Sequence, residues 1–248
     1  MMELQHVRRD APWKWLRAGW QDFVKAPQVC LAYGAIFVLI GLAVSAGLTS
    51  IGLASAIPVA LSGFALVGPA FAIGLYQVSR AFERGETPRF RVVISRMPDR
   101  LSQIGFLSLL LLLLLLLWVR IAQFLLVLIA PVSPLEPGLF IDFLLSDGAG
   151  LTLLAVGTLI GGVLATLAFS ISVLAFPLLV DRDVDAITAL VTSLKAVASQ
   201  PFVMLTWAWL IVFAIGAGIA AFGIGLAITF PWIALASWHA YRDFLPAD

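Results

Sequence analysis

The sequence has few charged residues, few histidines and a single cysteine. Charged residues make up 12% of its 248 residues and apolar residues 62%. A soluble domain is typically about a quarter charged and about half apolar, so this chain is composed for lipid rather than for water. Cys30 excludes an intrachain disulfide and a multi-cysteine metal cluster. We expect its thiol to be buried and inert.

Recognisable catalytic patterns are also missing. The two histidines, His6 and His239, lie outside the cores of the apolar stretches, and serine, histidine and aspartate do not form a recognisable triad. The sequence has no glycine-rich phosphate loop. It therefore predicts no catalytic residue, no cofactor and no metal, and a protein that is not an enzyme.

Six apolar stretches predict an all-α membrane protein with six transmembrane helices, because about 20 apolar residues cross the hydrocarbon of a bilayer. The last two are the least certain, since residues 202–238 could instead form one span and a re-entrant or interfacial segment. The boundaries divide the chain into an amphipathic N-terminal arm (1–27), a six-span domain (28–238) and a tail (239–248). The predicted spans are approximately Gln28–Leu48, Leu53–Ser79, Leu101–Ala130, Leu151–Val180, Phe202–Ala217 and Gly218–Trp238.

The positive charges fall on one side of this plan. Fourteen of the fifteen Lys and Arg residues lie in the arm, in 80–100, in 181–200 or in the tail, and the exception is Arg120. The opposite loop, 131–150, carries only acids. The positive-inside rule places such cations in the cytoplasm. We therefore expect a multi-pass protein of a bacterial inner membrane with both termini cytoplasmic.

The segments before the odd-numbered spans look alike and indicate three parallel repeats of an interfacial helix followed by a helical hairpin. Amphipathic stretches at 15–25, 90–96 and 186–198 each precede a proline and a span. Each even-numbered span carries a proline, and spans two and six align from it without gaps, so that Arg80 meets Arg242. The prolines of the even-numbered spans are Pro69, Pro177 and Pro231. The amphipathic stretches could lie on lipid, brace the bundle or bind a partner.

Arg120 is a candidate site because it is the one formal charge deep in an apolar stretch. A charge inside a membrane suggests function by default, but its place late in span three also suits an arginine whose side chain reaches the outer interface. Glu136, Asp142 or Asp147 could pair with it. Structural anchoring and contact with a ligand both remain open.

A second candidate is a cytoplasmic interface near the ends of spans four and six. The alternating acids of 181–185 resemble part of a calcium loop, but the required glycine and distant glutamate are missing. Asp185 is instead placed to cap the following helix, and His239 to pack at the interface. The members of this group are Asp181, Arg182, Asp183, Asp185, His239 and Arg242.

Several segments resemble a bacterial integral-membrane family of unknown function, some members of which are labelled putative cytochrome c oxidase subunit I. The matching pieces include Trp15–Trp20, Gly74–Tyr76 with Glu83–Glu86, Pro177–Ala186 and Trp238–Asp243. The resemblance implies a bacterial cytoplasmic membrane and transfers no functional residue. Oxidase chemistry itself would need intramembrane histidines for haem and copper, and this chain has none in a span core.

The sequence thus favours a non-enzymatic accessory or scaffold protein, with a respiratory complex as one possible partner. An uncoupled transporter or channel for a small molecule or lipid is the alternative. The spans lack the carboxylates of an ion-coupled carrier. An enzyme would have to use Asp181, Asp183, Asp185 and His239. We expect contact with the lipid bilayer and, because the Arg-rich segment lacks interleaved aromatic residues, no binding of nucleic acid.

Overall fold

The apolar stretches fold as helices throughout the part of the chain that the structure describes. The structure is a computed structural model and describes residues 4–53, 56–88, 101–129, 137–221 and 223–246. Eleven helices and no strand occur within these ranges. They are α1 (Ala11–Lys25), α2 (Pro27–Ser50), α3 (Ile57–Phe71), α4 (Ile73–Glu83), α5 (Leu101–Ile129), α6 (Pro137–Ser146), α7 (Gly148–Ser172), α8 (Ala175–Asp181), α9 (Ala186–Ser199), α10 (Pro201–Ala220) and α11 (Leu226–Phe244).

Four helical segments among the described residues are long and apolar enough to cross a membrane. They are α2, α5, the nearly continuous pair α7–α8, and α10. Their bounds agree closely with predicted spans one, three, four and five, so these four predictions are confirmed. Spans two and six correspond to α3–α4 and to α11, and their crossings stay predictions, as does the repeat.

Two predicted spans are interrupted near a proline, and proline accounts for one of the two breaks. The α3–α4 segment breaks at Ala72, shortly after Pro69, and α7 gives way to α8 at Val173–Leu174, four residues before Pro177. Proline has no amide hydrogen for the carbonyl four residues earlier and its ring crowds that carbonyl. The break before Pro177 therefore follows from the sequence, whereas α3 continues through Pro69 to Phe71 and α11 continues through Pro231.

The predicted loop at 131–150 contains a helix that the sequence analysis did not anticipate. The sequence of helix α6 is mostly apolar apart from Asp142, and the helix ends just before Asp147. The Asp147 carboxylate accepts a hydrogen bond from the Ala149 amide at 2.7 Å, at the start of α7. Some predicted features, namely Glu136, the amphipathic stretch 90–96, and Arg89, Arg91, Arg96 and Arg100, lie outside the described residues.

One compact unit contains Met1–Ile40, Pro69–Ser108 and Phe169–Asp248. Its centre is α11, which packs along α1. Gly19 permits the close approach, because a β-carbon there would come within 2.5 Å of the Ala236 backbone nitrogen. Cys30 is buried in this unit, as predicted. The largest fully buried side chains in the unit are Trp15, Trp207, Trp238, Tyr241, Phe176 and Phe244.

The second unit contains Gly41–Gly68 and Leu109–Ala168. Leu111 is fully buried, whereas Leu113 and Leu116 in the same leucine run are about half exposed, at 53% and 52%. A helix that is apolar on all sides fits a lipid environment. Within the unit, the ring of Trp118 lies where a side chain on Gly161 would point.

Candidate functional site

Charged side chains from three helices meet at Asp181, the last residue of α8. Arg242 of α11 donates from Nη1 to Oδ2 at 2.6 Å and from Nη2 to Oδ1 at 2.9 Å. The Tyr241 hydroxyl donates to Oδ2 at 2.7 Å. Arg80 of α4 lies with its Nε 3.4 Å from Oδ1. We call Arg80, Glu83, Asp181, Tyr241 and Arg242 the Asp181 network.

Arg242 links the network to a second carboxylate. Its guanidinium contacts both oxygens of Glu83, with the shortest distance 2.8 Å from Nη2 to Oε2. Its charged end also lies over the Trp238 ring, 4.8 Å from the centroid, and the Trp238 indole donates to Glu83 Oε1 at 2.8 Å. A paired guanidinium stacked on an aromatic ring is strongly oriented, so α11 is fixed in its rotation relative to α4.

The network is only partly open to solvent. The Asp181 side chain is 10% exposed, that of Arg242 17% and that of Glu83 33%. Burial alone would lower the pKa of Arg242, but the hydrogen bonds to Glu83 and Asp181 outweigh it and raise that pKa. Burial, together with the bond to Asp181, raises the pKa of Tyr241. Both groups therefore keep their protons near neutral pH.

The Arg80 guanidinium acts mainly on the end of α8. Its Nη1 donates to the carbonyl oxygen of Val180 at 2.8 Å and its Nη2 to that of Asp181 at 3.1 Å. The last carbonyls of a helix have no partner within it and carry its negative partial charge. A cation at this position therefore satisfies the helix end as well as the carboxylate.

A second polar group joins α1, α4 and α11. Asp22 Oδ2 accepts from the Ser79 hydroxyl at 2.8 Å and lies 2.9 Å from His239 Nε2. Lys25 Nζ lies 3.6 Å from the other oxygen. We call Asp22, Lys25, Ser79 and His239 the Asp22 cluster.

The Asp22 carboxylate is well buried, with a side chain 7% exposed. Burial by itself would raise its pKa, but the hydrogen bonds from His239 and Ser79 and the charge of Lys25 lower the pKa below its ordinary value. Asp22 is therefore ionised at neutral pH. Ser79 and His239 both contact Oδ2 of this carboxylate, so Asp22 joins α1 to α4 and to α11.

The structure separates the members of the predicted cytoplasmic interface. Asp181 and Arg242 are directly paired, whereas His239 belongs to the Asp22 cluster. Arg182 bonds to the Pro246 carbonyl and lies 3.9 Å from Asp181, and Asp183 is exposed between α8 and α9.

Asp185 accepts a hydrogen bond from the Thr188 amide at 2.9 Å, so its predicted role as the N-cap of α9 is confirmed. Among the described residues, no group of three or more His, Cys, Asp or Glu side chains is placed to hold a metal ion.

Arg120 lies exposed on α5, where its Nη1 donates to Gln123 Oε1 at 3.3 Å. Asp142 is exposed on α6, and Glu136 lies outside the described residues. The proposed pairing of Arg120 with these acids, and its choice between anchor and ligand contact, stay predictions.

Sequence reasoning missed Asp22, Ser79 and Glu83 as parts of these groups. Asp22 is separated from His239 by 217 positions and Glu83 from Arg242 by 159. One available signal was the alignment of spans two and six, which equates Arg80 with Arg242. Both arginines contact Asp181.

Residues 56–181, just over half of the chain, match the sequence profile of a family described as "Predicted integral membrane protein (DUF2189)". The chain belongs to this family. The resemblance to an integral-membrane family of unknown function is thereby confirmed. No curated protein and no solved structure matches the chain.

The range matched by DUF2189 includes some members of the Asp181 network and of the Asp22 cluster but not all of them. Arg80, Glu83 and Asp181 lie within it, whereas Arg242 and Asp22 lie outside it. The hydrogen bonds described above thus connect the family region to the flanking helices α1 and α11. What the arrangement does chemically is to hold these helices together.

Proposed function

We propose that this chain is a non-enzymatic, polytopic inner-membrane protein that serves as a scaffold or accessory subunit, and that a respiratory complex is one partner it could join. The observation that carries the proposal is that the buried and half-buried carboxylates are bonded to side chains of neighbouring helices. Asp181, Glu83 and Asp22 each accept two or more hydrogen bonds from neighbouring helices. Groups that could carry out chemistry are here used to join helices.

The proposal includes six spans, three repeats and both termini in the cytoplasm. Support for the repeat comes from the polar groups: Arg80 and Arg242 stand eleven residues after Pro69 and Pro231, and they approach the same carboxylate. Support for the orientation comes from the segregation of cations, because the bias of Lys and Arg between loops sets the orientation of a membrane protein.

The function is tested by purifying the tagged protein from its own membranes in nanodiscs or mild detergent, with mass spectrometry of both proteins and lipids. A stoichiometric protein partner is expected, and its identity would name the pathway. Recovery of the chain alone with a specific lipid or small molecule would overturn the scaffold function in favour of the alternative, an uncoupled transporter or channel.

The topology is tested separately, by labelling single cysteines with a membrane-impermeant maleimide on a Cys30→Ala background. In intact cells we expect Asp142→Cys to react, and Arg8→Cys and Pro246→Cys to react only after permeabilisation. Reaction of Pro246→Cys but not of Arg8→Cys in intact cells would mean an odd number of spans and would overturn the six-span arrangement.

A further inference from the structure

Helix α9 buries its small and hydroxyl side chains and exposes its bulky apolar ones. Ile187, Val191 and Leu194, at successive turns, are 65%, 38% and 36% exposed. A helix in contact with water turns such side chains inward. The reversed arrangement indicates that the surroundings of the outer face are apolar. The buried residues on the inner face are Ala186, Ala189, Thr192, Ser193 and Ala196.

Polar contacts fix this orientation of α9. The Ser193 hydroxyl accepts a hydrogen bond from the Leu174 amide at 3.2 Å, at the break between α7 and α8. At the start of α9, the Ala186 amide donates to Gln103 Oε1 at 2.8 Å. Turning the apolar face inward would expose the small residues and remove a partner from a buried amide, which is costly.

The connections of α9 hold it near a membrane boundary. It is joined by residues 182–185 to the end of α8 and by Gln200 to the start of α10, and both neighbours belong to candidate spans. At about 1.5 Å per residue, its 14 residues form a rod roughly 21 Å long. Such short links keep that rod close to the level at which the two spans end.

Helix α1 precedes the candidate span α2 just as α9 precedes α10, and only Ala26 separates α1 from α2. Its outward face carries Trp13, Trp20 and Val24, which are 62%, 43% and 58% exposed. Arg17 lies on the same face and is exposed. Aromatic rings and cations on one helix face suit the headgroup region of a bilayer, especially an anionic one.

The start of α1 lies beside the junction of α9 and α10. The Arg9 side chain, just before α1, lies over the ring of Phe202 at the start of α10, 5.8 Å from the centroid. The Val7 amide donates to Gln200 Oε1 at 2.8 Å, at the junction of α9 and α10. The outward faces of α1 and α9 can therefore meet one leaflet.

We infer that α1 and α9 are interfacial helices whose outward faces insert into the same leaflet, and that Arg17 gives α1 a preference for anionic lipid. The occupant of both faces is thus a lipid surface. Lys14 and Lys25 are engaged by Asp10 at 3.3 Å and Asp22 at 3.6 Å, whereas no carboxylate pairs with Arg17 in the described part of the chain. The inference does not depend on the scaffold function.

The insertion is tested by spin-labelling single cysteines in the full chain, again with Cys30→Ala, in nanodiscs of phosphatidylcholine and phosphatidylglycerol. The test positions are Ile187→Cys, Leu194→Cys and Trp13→Cys. Arg8→Cys, whose native side chain is 79% exposed, serves as the aqueous control. Leu113→Cys near the middle of α5, 53% exposed in the native chain, serves as the lipid control.

Labels at the three test positions should be more accessible to oxygen than to a water-soluble nickel complex, at depths between those of the two controls. Accessibility to nickel equal to that of the Arg8→Cys label would place these faces in water. Exclusion of both reagents would mean that protein covers them, from a second copy or a partner. Either result would overturn the inference.

The anionic preference is tested by the ratio of the two lipids that the protein retains when extracted from mixed vesicles. The native chain should enrich phosphatidylglycerol severalfold, Arg17→Gln should reduce that enrichment and Arg17→Lys should preserve it. Lys14→Gln is the matched control and should have a smaller effect, because Lys14 is already paired with Asp10. Equal enrichment by the native chain and Arg17→Gln would show that Arg17 confers no preference.

Discussion

Arg242 and Asp181 form a bidentate pair, with two nearly parallel hydrogen bonds of 2.6 and 2.9 Å. The pair joins α11 to the end of α8, and Arg242 extends the connection to Glu83 on α4. In this geometry two donors are matched to two acceptors, which makes the contact directional as well as attractive. The pair therefore sets how the three helices meet.

Arg242→Gln should destabilise the protein, because Asp181 and Glu83 would each lose a charged partner. Breaking a buried pair costs about 3–5 kcal/mol and an exposed pair contributes about 0–1 kcal/mol. For side chains 17% and 10% exposed, we expect a loss of about 2 kcal/mol in the free energy of unfolding, measured by denaturant titration in mild detergent.

The matched control is Arg8→Gln, which removes an ion pair whose side chains are 79% and 49% exposed and should leave stability unchanged. A double-mutant cycle with Asp181→Asn isolates the coupling between the two residues. Additive effects of the two substitutions would contradict a direct role for the pair.

Gly19→Ala should separate α1 from α11. The added β-carbon would lie 2.5 Å from the Ala236 backbone nitrogen and 2.7 Å from its α-carbon, and backbone cannot move aside as a flexible side chain can. Overpacking of this kind costs about 1–3 kcal/mol. The measurement is the thermal midpoint of the purified protein in nanodiscs.

Gly47→Ala provides the comparison for Gly19→Ala. Gly47 is also helical, but a β-carbon there meets nothing within 4 Å. Alanine should be neutral or stabilise by up to about 1 kcal/mol through helix propensity. Equal effects of the two substitutions would show that the contact between α1 and α11 is not close.

How much of the fold and of the candidate site could be predicted depends on how far apart in the sequence the interacting residues are. Hydropathy is a local property, so it located α2, α5, α7–α8 and α10, and the N-cap at Asp185 was evident from its immediate neighbours. The contact of Asp22 with His239 links two segments 217 positions apart, and no local pattern indicates such a pairing.

The orientation of α9 was difficult for a different reason. Its sequence has an apolar face with Ile187 and Leu194 and a second face with Thr188 and Thr192, which is compatible with either lipid contact or packing within the bundle. Hydropathy identifies the two faces but not which of them packs inward. The amide at the α7–α8 break, which bonds Ser193, fixes the choice through a contact that only the fold brings about.

Acidification should weaken the junction of α1, α4 and α11 through Asp22. Hydrogen bonds from His239 and Ser79 overcome the effect of burial and hold its pKa below the ordinary value of 3.8. Because the folded state favours the ionised form, this contribution to stability is complete above that value. It is lost as the pH falls through the lower pKa of the folded state.

Asp22→Asn should flatten the acid side of the stability profile, measured as the thermal midpoint at pH values above and below 3.8. Asp142→Asn, at an exposed acid of α6, should leave the slope unchanged. If Asp22→Asn retained the full acid slope, the titration of Asp22 would not be its source.

The side chain of Gln200 holds the segment before α1, and its removal should release that segment. Its Oε1 accepts from the Val7 amide at 2.8 Å and its Nε2 donates to the Gln5 carbonyl at 3.0 Å. Gln200→Leu cannot form either bond, whereas Gln200→Glu can still accept from Val7. Hydrogen exchange at the Val7 amide should therefore be much faster in the leucine variant and close to native in the glutamate variant, because a free amide exchanges without a prior opening. Since the Gln5 amide is also bonded to the Phe244 carbonyl at 3.0 Å, unchanged exchange in the leucine variant would assign the anchoring of this segment to Phe244 instead.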